Sequence, residues 1–332
     1  MTGPMTGEPI LRVDGLTMRY ATRQGEVKAV DGVSFDLYRG QVMGLVGESG
    51  CGKTSIAISL LRLLPDNARL VGGRILLDGH DLVTMGENAL RRYRGARISM
   101  IFQAAMNSLD PVYRVGDQIV EAIQTHDSEI TIREAREKVG ELFRLVGLDP
   151  QYMERYPHEY SGGMRQRAVI AMALSCQPDV VIADEPTTAL DVIVQDRILR
   201  RLKQIQRDLN MSMIYITHDI AVVAEMTDRL GVMYAGKLVE LGDTADVFAH
   251  PIHPYTQALL SVFPSIRGEK RSLETLGGEP PNLIDPPLGC RFHPRCPYAT
   301  DVCRREDPPI VQRDGHWAAC WNPLQDVEQK PG

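Results

Sequence analysis

One eight-residue stretch, GESGCGKT from Gly47 to Thr54, limits the folds open to this chain more than any other feature. The short apolar run QVMGLV precedes it and TSIAISLLRLL continues from it, which predicts a strand, a glycine-rich turn and a helix. In this arrangement successive backbone N–H groups form a concave anion site, and the helix N-terminus adds positive potential. The chain is therefore expected to be an α/β protein whose phosphate-binding loop holds a nucleoside triphosphate.

The residues of this loop have separate expected roles. Lys53 should reach the β- and γ-phosphates, and the hydroxyl of Thr54 should bind Mg²⁺. Cys51 is expected to be a small filler whose amide binds phosphate, and inhibition through its thiol is the alternative. The loop residues expected to bind ATP are Gly47, Ser49, Gly50, Cys51, Gly52, Lys53, Thr54 and Ser55.

A second stretch, VVIADEPTTALD from Val180 to Asp191, delivers two adjacent acids to the end of an apolar run. At a phosphoryl-transfer site an Asp at a strand end holds Mg²⁺, and its neighbouring Glu can polarise the attacking water. Asp184 is thus the predicted Mg²⁺ partner and Glu185 the predicted general base, with a solvated acidic turn as the alternative. His218, which ends the next predicted strand in YITHD, is expected to contact the γ-phosphate, with a capping or core histidine as the alternative.

Three kinds of segment follow one another along the chain. Residues 10 to 80 contain strand-like segments that end near glycine or aspartate, which predicts an antiparallel β subdomain. Residues 104 to 160 are amphipathic and helical, with Thr131 as a predicted N-cap. From residue 161 onward, helices alternate with short apolar strands, which predicts a mainly parallel sheet.

This order predicts two domains. A nucleotide-binding domain is expected over residues 1–265, interrupted by a helical insert at about 104–175. An extension is expected over residues 266–332, and its richness in Pro and Gly predicts that loops dominate it. The extension carries four of the six cysteines within 31 residues: Cys290, Cys296, Cys303 and Cys320.

Composition narrows the class of protein. The formal net charge of −6 argues against a dedicated nucleic-acid binder, which usually shows a basic excess. The N-terminal MTGPMTGEPILRVDG has no basic region followed by an apolar core, so no secretory signal is expected. No window of eighteen residues is apolar enough to span a bilayer. A cytosolic protein is therefore expected, and docking onto a membrane protein stays open.

In such a protein the clustered cysteines indicate a metal before disulfides. Their spacing, Cys-x5-Cys-x6-Cys-x16-Cys, fits neither the tight ferredoxin run nor a pair of CxxC zinc knuckles. Four thiolates in a loop-rich extension can hold tetrahedral Zn²⁺ or an iron–sulfur cluster. Free thiols or disulfides are the other alternative, and His293 and His316 are alternative ligands.

The set of motifs resembles the nucleotide-binding domain of an ABC transporter over about residues 10–265. GESGCGKT is similar to the family's phosphate loop, IFQ ending at Gln103 to its glutamine loop, and VVIADEP to its second nucleotide motif. SGGMRQR from Ser161 resembles its signature sequence, ALD its loop carrying Asp191, and ITHD its switch histidine. The resemblance implies that Gln103 is a further Mg²⁺ partner and that Asp191 belongs to a loop at the subunit contact. It also implies that Tyr20 stacks on adenine, with a core or edge tyrosine as the alternative.

In this family the signature does not complete the site of its own subunit. The resemblance implies that it contacts the γ-phosphate of ATP held by the facing subunit, and a simple helix N-cap is the alternative. The residues implied to make this contact are Ser161, Gly162, Gly163 and Met164. This chain departs from the commonest pattern, since Tyr160 and Met164 replace a leucine and a glutamine, and AAMNSLDP follows Gln103 in place of a more usual acidic start.

Two C-terminal segments, HPIHPYTQALLSVFP and CRFHPRCPYATDVC, resemble the extension of ATP-binding subunits of dipeptide and oligopeptide importers. This resemblance implies a subunit that couples ATP binding and hydrolysis to peptide uptake, with nickel or oligosaccharide import as alternatives. It implies a [4Fe–4S] cluster on the four clustered cysteines, with Zn²⁺ as the alternative. The implied partners are a second ATPase subunit (a paralogue), two transmembrane permease subunits and an extracytoplasmic substrate-binding protein. These partners imply a peripheral location at the cytoplasmic face of the membrane, and no nucleic-acid partner is expected.

The rival from another class is a soluble ABC ATPase that serves ribosomes or DNA. Ribosome-acting members usually carry two ATPase domains in tandem, whereas this chain shows one set of motifs. DNA-repair members insert a long coiled coil before the signature, whereas the gap here is about 107 residues without sustained heptads. A regulatory or degenerate subunit is a third alternative, against which the complete motif set argues.

Overall fold

The computed structural model describes residues 7–103, 108–188, 190–261 and 277–324 of the chain. Two predicted boundaries lie outside the described residues: the start of the helical insert near 104 and the division between 265 and 266. The alanine of the ALD motif, at position 189, lies outside them as well.

The described residues form strands and helices in the order typical of an α/β protein. The strands are Leu11–Thr22 (β1), Gly25–Leu37 (β2), Val42–Val46 (β3), Ala68–Leu77 (β4), His80–Asp81 (β5), Ile98–Ile101 (β6), Val180–Asp184 (β7), Ser212–Ile216 (β8), Arg229–Tyr234 (β9), Lys237–Asp243 (β10), Ile310–Arg313 (β11) and His316–Ala319 (β12). The α-helices are Lys53–Leu60 (α1), Glu87–Arg91 (α2), Val115–His126 (α3), Ile132–Leu145 (α4), Gly162–Ala173 (α5), Val192–Asp208 (α6), Ile220–Met226 (α7), Thr244–Ala249 (α8) and Pro254–Ser261 (α9). None of the helices in the described ranges is long and apolar enough to cross a membrane.

A mainly parallel sheet forms the core, as the alternation of helices and apolar strands predicts. Its strand order is β11-β12-β10-β9-β3-β8-β7-β6, and the pairs from β9 through β3, β8 and β7 to β6 are parallel. Side chains of β7 alternate between two cores: Val181 and Ala183 pack with the helices of one face, and Val180 and Ile182 pack on the other. Because parallel strands end at one edge of a sheet, the residues that follow β3, β6, β7 and β8 meet there.

A second, antiparallel sheet has the strand order β2-β1-β4-β5, which confirms the predicted antiparallel β subdomain. Its apolar residues, such as Leu11 and Val33, share one core with Ile56 and Leu60 of α1 and with Met43 of β3. The helix that follows the phosphate-binding loop is therefore packed against both sheets.

Helices α3, α4 and α5 form a layer against the core sheet. Ile119, Phe143 and Ile170, one from each helix, lie in the same apolar core. Thr131 begins α4 as predicted: its hydroxyl accepts a hydrogen bond from the Glu134 N–H, and the Glu134 carboxylate accepts one from the Thr131 N–H. This reciprocal pair satisfies two backbone donors that the first helical turn leaves free.

The C-terminal extension contributes two strands to the core sheet. β11 and β12 form an antiparallel pair, and β12 also pairs with β10, where Glu240 lies opposite Ala318 and Leu241 opposite Trp317. The expectation of a loop-dominated extension did not include these strands. Each has only four residues, IVQR and HWAA, and so short a run carries too little alternation to predict a strand.

Candidate active site

The phosphate-binding loop lies between β3 and α1, which confirms the predicted strand, turn and helix. Gly47 has φ 150°, and a Cβ there would overlap the carbonyl oxygen of Met233 on β9. Gly52 precedes α1 with φ 107°, and a Cβ there would overlap the carbonyl oxygen of Ala29 on β2. Both positions require glycine, because neighbouring strands lie directly against the loop.

The side chain of Lys53 is buried and folded onto its own loop. Its Nζ donates to the carbonyl oxygens of Gly47 at 2.7 Å and Glu48 at 3.0 Å, and it lies 3.5 Å from Sγ of Cys51. An ammonium group makes stronger hydrogen bonds to phosphate oxygens than to neutral carbonyls. Burial raises the pKa of the Cys51 thiol, which keeps it protonated and unreactive, in keeping with the role of a small filler.

The remaining residues expected at the nucleotide lie around the loop and its helix. Ser49, Gly50 and Thr54 are exposed, whereas Ser55 is buried at the start of α1. Tyr20 lies half-buried on β1, and its hydroxyl oxygen is 3.3 Å from Oγ of Ser55. The antiparallel sheet therefore places this ring beside the loop.

Strand β7 ends at Asp184, a residue that is 1% exposed and whose two carboxylate oxygens have no hydrogen-bond partner among the described residues. Burial raises the pKa of Asp184, and the negative charge of Glu185 also raises it. The Thr54 hydroxyl and the positive charge of Lys53 act in the opposite direction and lower this pKa. A buried carboxylate without partners is costly unless a cation satisfies it. Hard divalent cations prefer carboxylate and hydroxyl oxygens, so Asp184 with Thr54 fits Mg²⁺.

Glu185 is the centre of a hydrogen-bonded cluster at the strand ends. Its Oε2 accepts hydrogen bonds from Nε2 of Gln103 at 3.1 Å and Oγ1 of Thr188 at 3.0 Å, and its Oε1 lies 3.0 Å from Nδ1 of His218. Its φ of 46° is a left-handed conformation that costs a non-glycine residue about 1–3 kcal/mol. The Glu185 N–H donates to the carbonyl oxygen of Ile216 on β8, which holds this conformation.

The structure thus brings together the predicted glutamine, general base and switch histidine. His218 is 68% exposed, whereas Glu185 is 16% exposed, so the imidazole lies on the open side of the carboxylate. Thr188 is a member of this cluster that sequence reasoning missed. The available signal was DEPTT, in which a hydroxyl three residues after the glutamate can reach back to it across a turn.

The signature residues begin α5. The Ser161 hydroxyl accepts a hydrogen bond from the Met164 N–H at 3.3 Å, so within its own chain this serine is a helix N-cap. The first N–H groups of a helix have no intrahelical carbonyl partner, and they attract anions. Tyr160, one of the departures from the commonest signature, is buried and donates from its hydroxyl to the carbonyl oxygen of Tyr152 at 2.6 Å.

Asp191 caps the next helix, α6, since its Oδ1 accepts a hydrogen bond from the Val194 N–H at 2.9 Å. Val194 in turn lies against Gly163, where a Cβ would come 2.6 Å from its Cγ1. The signature and the residue expected in the dimer loop are therefore neighbours, on the first turns of adjacent helices.

The four clustered cysteines line one cavity in the extension, together with the rings of Phe292 and Trp321. All four are free thiols, as are Cys51 and Cys176. Burial, together with the neighbouring thiols, raises the pKa of Cys290 to about 11 and that of Cys320 to about 12. Within the described ranges, no three His, Cys, Asp or Glu side chains form a group arranged to hold a metal ion. The donor set suits a thiophilic centre, but the thiols only share a cavity and are not gathered around a point.

The two histidines considered as alternative ligands differ in position. His293 lines the cysteine cavity. His316 does not, because its Nε2 lies 2.7 Å from Oε1 of the fully buried Glu240. The same carboxylate accepts hydrogen bonds from the N–H groups of Ile252 and His253, both at 2.8 Å. His316 therefore joins β12 to β10 and the turn before α9.

Comparisons with known proteins agree with this geometry. Residues 30–188 match the family model described as ABC transporter, and residues 239–303 match that described as oligopeptide/dipeptide transporter, C-terminal region. The chain is 48% identical over 323 residues to the dipeptide transport ATP-binding protein DppD of Bacillus subtilis, covering 96% of each. It is 42% identical over 326 residues to the oligopeptide transport ATP-binding protein OppD of Salmonella typhimurium, covering 98% of this chain and 97% of that protein.

Solved structures show the same fold. MJ0796, described as a bacterial ABC transporter cassette, superposes with a TM-score of 0.64 at 22% identity, covering 70% of this chain and 98% of that one. CbiO1 of Clostridium perfringens, described as part of the ABC transporter complex cbiONQ, gives a TM-score of 0.62 at 27% identity, covering 73% and 92%. The predicted ABC-type P-loop fold is thereby confirmed. The chain belongs to the ABC transporter family, as an ATP-hydrolysing subunit of the branch that carries the oligopeptide/dipeptide transporter C-terminal region.

Proposed function

We propose that this chain drives a membrane importer that takes up dipeptides or oligopeptides. The observation that carries the proposal is the occurrence in one chain of the Glu185 cluster and of an extension that matches the oligopeptide/dipeptide transporter region. Relatives that align over nearly the full length are named for dipeptide or oligopeptide transport. In this proposal residues 1–265 carry the ATP chemistry, with the helical insert at about 104–175, and residues 266–332 form the extension.

ATP binding is assigned to the loop after β3. The phosphates lie against the backbone N–H groups of residues 49–54, and Lys53 moves its Nζ from the loop carbonyls to the β- and γ-phosphates. Tyr20, beside the start of α1, stacks on the adenine ring. Thr54, Gln103 and Asp184 would hold Mg²⁺, which would supply positive charge against the phosphates.

Hydrolysis is assigned to the cluster around Glu185. This carboxylate orients the attacking water and accepts its proton, and the hydrogen bonds from Gln103 and Thr188 hold the carboxylate in place. His218, on the open side of Glu185, braces the γ-phosphate. Most of the acceleration comes from positioning and from charge neutralisation around the transferred phosphoryl group.

The proposed site is completed by a second ATPase subunit, a paralogue, that faces the first. Ser161 to Met164 contact the γ-phosphate in the facing subunit, where the first N–H groups of α5, which have no intrahelical carbonyl partner, offer an anion site. Asp191, on the adjacent helix, lies at the same contact. Closure of the two ATPase subunits drives two permease subunits at the cytoplasmic face of the membrane, and an extracytoplasmic binding protein delivers the peptide.

The cysteine cavity is assigned to a [4Fe–4S] cluster held by the four clustered cysteines, with Zn²⁺ as the alternative. Four soft thiol donors in one cavity support a thiophilic centre, and such a centre stabilises a segment with few apolar residues. Iron, sulfide and zinc are measured in anaerobically purified protein. Four irons per chain are expected, lost in Cys320→Ser and kept in the control Cys176→Ser. Colourless protein that contains one zinc per chain would show that the cavity holds zinc and not an iron–sulfur cluster.

Transport is tested in proteoliposomes that contain the chain with its companion ATPase, permease and binding-protein subunits. We expect ATP-dependent uptake of labelled dipeptides or oligopeptides, which is lost with Glu185→Gln. Nickel and an oligosaccharide are offered in parallel. Uptake of either one without peptide uptake would contradict the peptide assignment and leave the ATPase assignment intact.

A further inference from the structure

Arg295, one residue before Cys296 in the extension, reaches the phosphate-binding loop. Its side chain is 6% exposed, and it forms a two-pronged ion pair with Glu48: Nη1 lies 2.7 Å from Oε2 and Nη2 lies 2.9 Å from Oε1. Its Nη1 also donates to the Tyr234 hydroxyl at 3.3 Å, and its Nε donates to the carbonyl oxygen of Gly277 at 2.9 Å. All three guanidinium nitrogens therefore have partners, and this planar arrangement is specific to arginine.

Tyr255, on α9, holds the same loop residue by its backbone. Its hydroxyl oxygen accepts a hydrogen bond from the Glu48 N–H at 3.0 Å. The ring is fully buried and packs against Tyr234 and Phe292, with ring centroids 4.6 Å and 5.3 Å away. A hydroxyl on a ring packed this tightly has little freedom to move, so it fixes the position of the Glu48 backbone.

Glu48 is thus held at two places by residues outside the motifs for ATP. Its N–H is held by Tyr255 and its carboxylate by Arg295, whereas its carbonyl oxygen accepts from Lys53, which must move when phosphate binds. The carboxylate also places a negative charge within the loop that receives the polyphosphate. An unpaired charge there would repel the nucleotide, and Arg295 neutralises it.

We propose that Arg295 and Tyr255 are positioning residues for ATP: both hold Glu48, and Arg295 also cancels its charge, so that the phosphate-binding loop is ready to receive the nucleotide. The inference rests on the ATP-hydrolysing role and is independent of the cargo and of any centre in the cysteine cavity. It predicts an effect on nucleotide affinity, because neither side chain touches the cluster around Glu185 among the hydrogen bonds of the described residues.

The negative charge of Glu48 sets the expected sign of each variant's effect on ATP binding. Arg295→Gln leaves the Glu48 carboxylate unpaired beside the polyphosphate, and we expect the Kd and KM for MgATP to rise about tenfold. Glu48→Gln removes the repelling charge, so its Kd should stay within about threefold of the wild type. The double variant should bind ATP more tightly than Arg295→Gln alone, with little change of kcat in any of the three. Tyr255→Phe, which loses only the hydroxyl, should raise the Kd about threefold.

The full-length chain is titrated with a fluorescent ATP analogue and Mg²⁺, and KM and kcat are measured in the assembled complex. Arg304→Gln, which removes an exposed arginine from the same extension, is the matched control. An unchanged Kd in Arg295→Gln would overturn the proposal. A double variant as weak as Arg295→Gln would overturn the charge part, because a purely structural loss is not repaired by Glu48→Gln. Where Arg295→Gln fails to fold, Tyr255→Phe is the second variant, and a Kd unchanged from that of the wild type would contradict the positioning role.

Discussion

Two regions of this chain differ in whether their buried charged side chains have partners. At the strand ends, Asp184 is buried with both carboxylate oxygens unpartnered among the described residues. In the C-terminal extension, Arg291 and Arg295 have side chains that are 6% exposed, and each pairs with an acid, Asp31 and Glu48 respectively. The first region keeps an unsatisfied group that a ligand can satisfy, whereas the second satisfies its charges within the chain.

The difference indicates that the strand ends bind the ligand and that the extension fixes the geometry around it. Unsatisfied buried groups cost stability and mark where a ligand is expected, and satisfied ones fix geometry. Arg291 attaches the extension to the antiparallel sheet, Arg295 attaches it to the phosphate-binding loop, and β12 continues the core sheet from β10. The extension is therefore part of the framework that positions the nucleotide site.

The largest effect is expected at the strand ends. Glu185→Gln should lower ATP hydrolysis by at least about 100-fold, because an amide cannot accept the proton of the attacking water. ATP should remain bound, since the phosphate-binding loop is unchanged. Phosphate release and retained nucleotide are measured in the assembled complex. Glu141→Gln, at an exposed position of α4, is the control, and wild-type turnover in Glu185→Gln would show that another group accepts the proton.

The next effect concerns stability and the attachment of the extension. Glu240→Ala should lower the free energy of unfolding by about 3 kcal/mol, because it leaves His316 and two buried backbone N–H groups without their acceptor. Urea unfolding followed by tryptophan fluorescence measures this loss, since Trp317 lies on β12 beside the attachment. Glu225→Ala, at an exposed position, should change stability by less than about 0.5 kcal/mol. Equal effects of the two changes would show that the buried carboxylate does not anchor the extension.

The smallest effect has the opposite sign and is expected at Asp184. Asp184→Asn should stabilise the nucleotide-free protein by about 1 kcal/mol, because it removes an unpaired buried charge. Burial raises the pKa of Asp184, so the wild type loses stability as pH rises through that pKa, and the advantage of the variant should grow over the same range. Thermal unfolding without Mg²⁺ across pH 4 to 8 measures it. A variant less stable than the wild type at every pH would mean that the carboxylate has a partner within the chain.

Much of the strand-end site could be predicted from the sequence, because local patterns encode it. The buried runs VMGLV, VVIAD and SMIYI predict parallel strands, and parallel strands bring their last residues to one edge. Asp184, Glu185 and His218 end or follow such strands, so their convergence follows from the strand order. Gln103 follows β6 and was predicted only through the resemblance to the ABC family.

The extension could not be predicted in the same way, because its contacts join residues that are far apart in the sequence. Arg295 pairs with Glu48 across 247 positions and Arg291 with Asp31 across 260, and no local pattern marks such pairs. The strands β11 and β12 are too short for alternation to appear. Thr188 was missed for a different reason, since a single hydroxyl after two acids is common in turns and carries little information alone.

Ser161→Asp decides whether this chain supplies half of a composite ATP site through its signature. Aspartate caps helices as well as serine does, so the hydrogen bond that now joins Ser161 to Met164 can be kept and α5 should remain folded. A carboxylate at this position would face the γ-phosphate of the opposite subunit and repel it. If the signature completes the opposite site, ATP hydrolysis in the assembled complex should fall by at least about tenfold, with circular dichroism and melting temperature unchanged. Wild-type hydrolysis in a folded Ser161→Asp complex would show that this serine only caps its helix and would contradict the composite site.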